Sequence, residues 1–347
     1  MKLAEFHVIR MKEDSGMCIF ARINHAILDG KGYCVFMKRW ADISKHMVTI
    51  QRQQDRRDIP PIPALVIQHD RSVLQTDIER EVDALEPPLV QVFDKSTAVA
   101  KWVAWFSPEL RGRIFKYLMS SPPLRNYYVH LSITAYERLV QLIQPFIEPE
   151  ISHLSANDVI TALATVLFAQ ALHKVGRLDG ESVYMANVVA DVRPRIKQLD
   201  EANYVGNAVI PKAAVCMLEP MATDSSPRVL ASVACNIRRA VDGLDQRYCE
   251  QIGHLINKNA SGYVDLVLGI TKMDNTLVST NHARFGYYQM DFGGGAPLLV
   301  RPAFLIFEND FVIMPGHPDI GGYELAFTML PQVAKVMMAS EGWRYIS

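Results

Sequence analysis

Long apolar runs, an excess charge of either sign, paired cysteines and the short motifs of hydrolases and metalloenzymes are all missing from this chain of 347 residues. The longest apolar stretch, Val159 to Leu172, is interrupted by Thr161, Thr165 and Gln170. That is too short to cross a bilayer, so it reads as a buried helix. The first residues, Met1-Lys2-Leu3-Ala4-Glu5-Phe6-His7, lack the apolar segment of a secretory signal. Lysine and arginine number 36 against 37 aspartates and glutamates, leaving a formal charge of −1. No global field draws nucleic acid or anionic lipid, and neither nucleic acid nor membrane is expected as a partner. Five cysteines, an odd number with no C-x-x-C pair, argue against a disulfide framework and a thiolate zinc site. A reducing, cytoplasmic location is the expectation. There is no G-x-S-x-G elbow for a serine hydrolase and no H-E-x-x-H for a metal, and Gly30-Lys31-Gly32 lacks the spacing of a phosphate loop. No metal site is expected.

What is present is a globular composition, 49% hydrophobic and 21% charged, in a chain long enough for two domains. The stretch that organises it is Ile23-Asn24-His25-Ala26-Ile27-Leu28-Asp29-Gly30-Lys31-Gly32. Upstream, Met17, Ile19, Ala21 and Ile23 alternate with Cys18, Phe20, Arg22 and Asn24, the pattern of a largely buried strand. Downstream, Gly30 and Gly32 break the strand, and Val35, Phe36, Trp40 and Ile43 are spaced for one face of a helix from about 33 to 47. His25 thus stands where a strand ends in a loop, a frequent address for chemistry. A neutral imidazole can take a proton from an alcohol or amine attacking a carbonyl. Spacing carries little on its own. With ten histidines, an aspartate at i+4 arises by chance about half the time. A histidine beside an ordinary Asp-Gly turn is the competing reading.

Along the chain, residues 1–10 and 16–25 read as a hairpin across Lys12-Glu13-Asp14-Ser15-Gly16. A polar connector ends at Pro60, Pro61 and Pro63. Ser72 to Leu85 and Glu109 to Met119 read as helices, and Val90 to Phe106 as extended. A new unit starts near Asn126, with a strand at Tyr127–Ser132 and a helix at Thr134–Phe146. Ser155-Ala156-Asn157-Asp158 opens the buried helix that runs to about Val175. Strands are expected at Glu181–Ala190, Asn207–Met217, Leu277–Thr280, Leu298–Phe307, Phe311–Met314 and Tyr323–Leu330, with helices at Pro227–Leu244 and Gln332–Ala339. No repeat is found. The architecture implied is α/β, with α+β mixed sheets in two layers.

Six of these segments resemble, in order, the signatures of the BAHD acyl-CoA-dependent acyltransferases, which share the chloramphenicol acetyltransferase-like fold. They are His25-Ala26-Ile27-Leu28-Asp29-Gly30 against H-x-x-x-D-G, and His69-Asp70-Arg71-Ser72-Val73-Leu74 in the connector. Ser155-Ala156-Asn157-Asp158-Val159-Ile160, Asp191-Val192-Arg193-Pro194-Arg195 and Tyr204-Val205-Gly206-Asn207-Ala208 follow. The last is Asp291-Phe292-Gly293-Gly294-Gly295-Ala296-Pro297 against D-F-G-W-G-x-P, where Gly294 replaces tryptophan as in fungal-like members. A kinase D-F-G is excluded because no H-R-D or glycine-rich loop accompanies it. Only 24 residues precede His25, whereas the family has more than a hundred before its motif. The resemblance therefore implies a two-domain fold with the first domain incomplete. Residues 1–125 would be the remainder of that domain with its connector, 126–347 the second domain, and about 291–312 would return to the first.

By the same resemblance His25 is the general base, in a channel admitting acyl-CoA from one side and the acceptor from the other. Asp29 points away from substrate and pairs with an arginine, for which Arg193 and Arg195 are the candidates. Asp291, Phe292, Gly293 and Gly295 hold a structural loop. Ser279 and Thr280 are candidate oxyanion donors. The implied activity moves an acyl group from acyl-CoA to a hydroxyl or amine of a small, secondary-metabolite acceptor, without an acyl-enzyme. Acyl-CoA is a co-substrate, no cofactor is permanently bound, and the protein is a monomer. Two other readings are a truncated, non-catalytic remnant that acts at most as a binding protein, and condensation between carrier-bound substrates. The latter uses a second histidine directly before the motif, where this chain has Asn24.

Overall fold

The computed structural model describes residues 3–52, 68, 124–179, 183–197, 199, 203–258, 275–303, 305 and 308–345. The segments expected at Ser72–Leu85, Val90–Phe106 and Glu109–Met119, and the connector signature His69–Leu74, lie outside these. The elements are β1 (Ala4–Arg10), β2 (Met17–Ile23), α1 (Gly30–Arg52), β3 (Arg125–Leu131), α2 (Ile133–Ile143) and α3 (Ala156–Lys174). They continue with β4 (Val183–Asp191), β5 (Val209–Met217), α4 (Leu218–Thr223), α5 (Pro227–Asp242) and α6 (Gln246–Lys258). The last are β6 (Thr276–Asn281), β7 (Asp310–Pro315), β8 (Tyr323–Met329) and α7 (Pro331–Met338).

Six strands form one mixed sheet in the order β3-β8-β7-β6-β4-β5. The pairs β4/β6 and β6/β7 are parallel, and the outer pairs antiparallel. Both faces of the inner strands β4 and β7 are covered, so their residues are buried at successive positions, whereas the edge strand β5 alternates. In β7, Phe311 and Ile313 join the cluster under α3, α5 and α7, while Val312 and Met314 join Cys34, Met37 and Ala41 of α1. Helix α3 is buried all round, which is why its apolar residues show no single stripe. A capping box starts it, with Ser155 and Asp158 serving each other's backbone amides.

The expected hairpin forms, with Phe6 opposite Ala21 and Arg10 opposite Met17. Its burial differs from expectation: β2 is half-buried at best and Met17 is 48% exposed. Helix α1 covers one face, with Phe6 stacked on Phe36 at 5.8 Å and set edge-on to Trp40 at 5.1 Å. The other face, carrying Ile9 and Cys18, is open among the described residues. Alternation thus reported a strand with one packed side, not a core strand.

Helix α1 begins at Gly30, earlier than the two glycines suggested. Asp29 accounts for this, because its carboxylate accepts from Gly32 N at 2.9 Å and its carbonyl from Tyr33 N at 2.8 Å. An aspartate cap outweighs the poor helix propensity of two glycines. The strand expected at Leu298–Phe307 is not formed by its described residues; Leu298 is 85% exposed, and Pro297 and Pro302 interrupt any ladder. Helix α6, unforeseen, is started by Asp245, whose side chain accepts from Tyr248 N at 2.7 Å. Among the described residues no helix is long and apolar enough to cross a membrane.

Candidate functional site

After β2 the chain reverses through an Asn24 turn: Asn24 Oδ1 accepts from Ala26 N at 2.9 Å, and the Asn24 carbonyl from Ile27 N at 2.9 Å. The turn leaves His25 exposed. From the far side, Asn207 Nδ2 donates to the His25 carbonyl at 2.7 Å, so the loop is pinned without engaging the imidazole.

Four residues on, Asp29 is buried, 1% exposed. Its two carboxylate oxygens accept from Gly32 N at 2.9 Å, Ala208 N at 2.8 Å and Arg193 Nη2 at 2.9 to 3.0 Å. These partners occupy both carboxylate oxygens, and the His25 imidazole is not among them. Arg193 is equally buried and fully engaged. It donates from Nε to the Tyr204 carbonyl at 2.9 Å, from Nη2 to the Gly206 carbonyl at 2.6 Å and from Nη1 to Asp191 at 2.8 Å. A buried guanidinium is tolerable only when its charge and N–H groups are met in this way. Arg195 donates instead to the Asp191 carbonyl, so of the two candidate arginines Arg193 is the partner of Asp29. Close approach helps: a side chain at Gly32 would begin 2.0 Å from the Val205 carbonyl oxygen.

The Asp291 loop lies elsewhere. Asp291 pairs with Lys45 at 2.9 Å and accepts from Gly293 N at 2.8 Å and Gly295 N at 2.9 Å. Lys45 and then those amides hold its carboxyl below the usual range. Phe292 sets its ring edge-on to Trp40 at 5.2 Å, and its carbonyl accepts from Ser44 at 2.9 Å. Gly293 and Gly295 have φ of 102° and 107°. Lys45 is fifteen residues beyond Gly30 on α1, about 22 Å at the helical rise. The loop therefore grips the far end of the helix whose near end carries His25 and Asp29. A cleft of about 350 Å³ at that far end, lined by Lys45, Arg52 and Asp291, is equally remote from His25.

Of the two expected oxyanion donors, Ser279 is corrected by the structure. It is fully buried and hydrogen-bonded to Thr161 of α3 at 3.0 Å, on the sheet face turned away from α1. Strand alternation puts Thr280 on the α1 face, together with His282 just beyond β6. His282 was not singled out from sequence, although the two-residue period from Val278 places it there. Its ring stacks on Phe285 at 4.5 Å and its Nδ1 lies 3.1 Å from the Tyr287 hydroxyl. Burial, with a smaller contribution from His25, pushes its pKa down to about 4.

Three of the buried thiols are poor nucleophiles. Burial pushes Cys34, Cys216 and Cys249 up to about 11, which disfavours the reactive thiolate. No group of three metal-ligating side chains occurs among the described residues.

A model of the Transferase family matches residues 150–342. Phenolic glucoside malonyltransferase 1 of Arabidopsis thaliana is 23% identical over 327 residues, which cover 91% of this chain and 63% of that protein. A BAHD acyltransferase of the same plant is 22% identical over 332 residues, 92% of this chain and 64% of its own. The chain thus spans less than two thirds of these relatives. A solved structure of F. graminearum TRI101, complexed with coenzyme A and deoxynivalenol, shares the fold at a TM-score of 0.67 and 16% identity. That match covers 99% of this chain and 69% of TRI101.

Proposed function

Because the chain belongs to the transferase family, whose pattern runs through residues 150–342, we propose that it moves an acyl group from an acyl-CoA to a hydroxyl or amine of a small acceptor. The observation that carries this reading is the exposed His25 held on a loop whose every other anchor is occupied. His25 takes the proton from the acceptor, whose oxygen or nitrogen attacks the thioester carbonyl. The tetrahedral intermediate collapses, the carbon–sulfur bond breaks, and the departing thiolate recovers the proton from His25. General-base action of this kind is worth about 10²–10⁴ in rate. No acyl-enzyme and no resident cofactor are needed. Malonyl-CoA and acetyl-CoA are reasonable first donors, given the malonyltransferase relative, and secondary metabolites such as phenolic glucosides are reasonable first acceptors.

The finer assignments follow. Asp29 and Arg193 orient the loop. Asp291, Phe292, Gly293 and Gly295 are structural. Residues 1–125 and 126–347 form two domains, and the contacts of Phe292 with Trp40 and Ser44 of α1 support a return of about 291–312 to the first. The protein works as a cytoplasmic monomer; its five free cysteines suit a reducing compartment.

The test is thiol release from malonyl-CoA and acetyl-CoA with a panel of alcohols, phenols, glucosides and amines, comparing the wild-type chain with His25→Ala. Release that depends on both acceptor and His25 is expected. Binding of acyl-CoA by the folded wild type with no release for any pair would favour a binding role without turnover.

A further inference from the structure

His282 is the titratable group beside the candidate site that the reaction above leaves unused. It lies on the α1 face of the sheet, one residue beyond β6, and its backbone N–H donates to the Ile313 carbonyl at 2.8 Å. Phe285 stacks on the ring at 4.5 Å with planes 20° apart, which fixes its orientation. Nδ1 lies 3.1 Å from the hydroxyl of Tyr287, a residue only 6% exposed. Burial raises the Tyr287 pKa far above its ordinary value, so the phenol keeps its proton. A buried O–H left unpaired is costly, so the phenol donates to Nδ1. That choice fixes the tautomer, with the ring proton on Nε2.

Nε2 is directed at the loop that carries His25. It lies 2.9 Å from the point where a side chain on Gly30 would begin, so any residue but glycine at position 30 would press on the ring. Among the described residues the hydrogen bond found for the ring is the one at Nδ1, which leaves Nε2 for another partner. A fixed neutral N–H next to a base is suited to a substrate oxygen.

We propose that His282 is a second residue of the reacting site, donating from Nε2–H to the thioester carbonyl oxygen as that oxygen gains negative charge. The inference rests on the acyl-transfer reading. As the acceptor atom bonds to the carbonyl carbon, the carbonyl π pair moves onto oxygen and is met by the Nε2 hydrogen, which stays on nitrogen. When the carbonyl re-forms, the carbon–sulfur pair leaves with the thiolate, and the proton it takes comes from His25. The enclosure that keeps His282 neutral suits the part, because an imidazole charged in the resting state would bind bulk anions in place of the thioester.

The test measures thiol release for wild type, His25→Ala, His282→Ala, His282→Gln and Tyr287→Phe, and records the ¹⁵N shifts of the His282 ring against pH. Replacing His282 by Ala should lower kcat about 10²-fold while the KM for acyl-CoA moves less than about threefold, as for loss of an oxyanion donor. Gln, which keeps an N–H, should recover roughly tenfold of that. The ring should remain the neutral Nε2–H tautomer down to about pH 5, and Tyr287→Phe should shift it toward Nδ1–H. A His282→Ala kcat within about threefold of wild type, with release still abolished in His25→Ala, overturns this proposal and leaves the acyl-transfer reading standing. A wild type without His25-dependent release overturns both. If His282→Ala does not fold, Gln and the nitrogen shifts decide: an Nδ1–H tautomer, or protonation near the ordinary histidine value, also overturns it.

Discussion

Arg193 and Asp29, 164 residues apart in sequence, meet with Nη2 2.9 Å from Oδ2 and with no exposed surface on either side chain. The pair ties the loop after the hairpin to the segment between β4 and β5, and Asp29 caps α1 as well.

Removing one partner leaves a buried charge unpaired. Arg193→Leu should therefore destabilise the fold by about 3–5 kcal/mol. Asp29→Asn keeps an oxygen for the cap but loses the ion pair, and should cost about 1–3 kcal/mol. Urea unfolding of both variants measures this. Near-wild-type midpoints for Arg193→Leu would show that the clamp is not structural.

Gly32→Ala inverts a normal rule. In an exposed helix the change stabilises by up to about 1 kcal/mol, yet here the new methyl would meet the Val205 carbonyl oxygen at 2.0 Å. Overpacking of this kind costs about 1–3 kcal/mol, so the melting temperature should fall. A rise would mean that α1 does not seat on Val205.

His282 links stability to pH. Its pKa is about 4 folded against 6.5 ordinarily, so between those values the unfolded chain binds the extra proton. Its contribution is whole above about pH 6.5 and shrinks as the pH falls toward 4, by at most about 3 kcal/mol. Comparing wild type with His282→Gln over this range isolates it: the wild type should lose the additional stability. Parallel curves would refute the buried, neutral ring.

Asp291 and Lys45 sit at the opposite end of α1 from His25. Asp291→Ala frees the amides of Gly293 and Gly295 and should lower the melting temperature, while kcat with a saturating acceptor stays within about twofold of wild type. A selective collapse of kcat in a variant of unchanged stability would place this loop at the chemistry instead.

Much of the architecture is legible from local signals. Ser155 and Asp158 announce the start of α3, and the polar turn after Arg10 announces the hairpin. Asp29 was expected to find an arginine, with Arg193 and Arg195 left open, because only the long-range geometry shows which guanidinium turns inward. What escaped has a common cause. Ser279 and Thr280 are neighbours of similar chemistry, and which of them faces α1 depends on the sheet's orientation between two layers of helix. His282 escaped for the same reason, since an isolated histidine carries no local pattern and gains its meaning from Phe285, Tyr287 and Gly30. The exposed hairpin face is a further case, as alternation reports pleating and not what lies beyond it.

The Asp29–Arg193 contact also orders events in time. Helices and the hairpin close over short stretches of chain and form early, while a contact across 164 residues must wait for the regions at both ends. The loop that presents His25 is thus among the last parts to be assembled. Recovery of the His25 loop during refolding should lag recovery of helix content, so a preparation judged by its helical signal alone will look ready before it is.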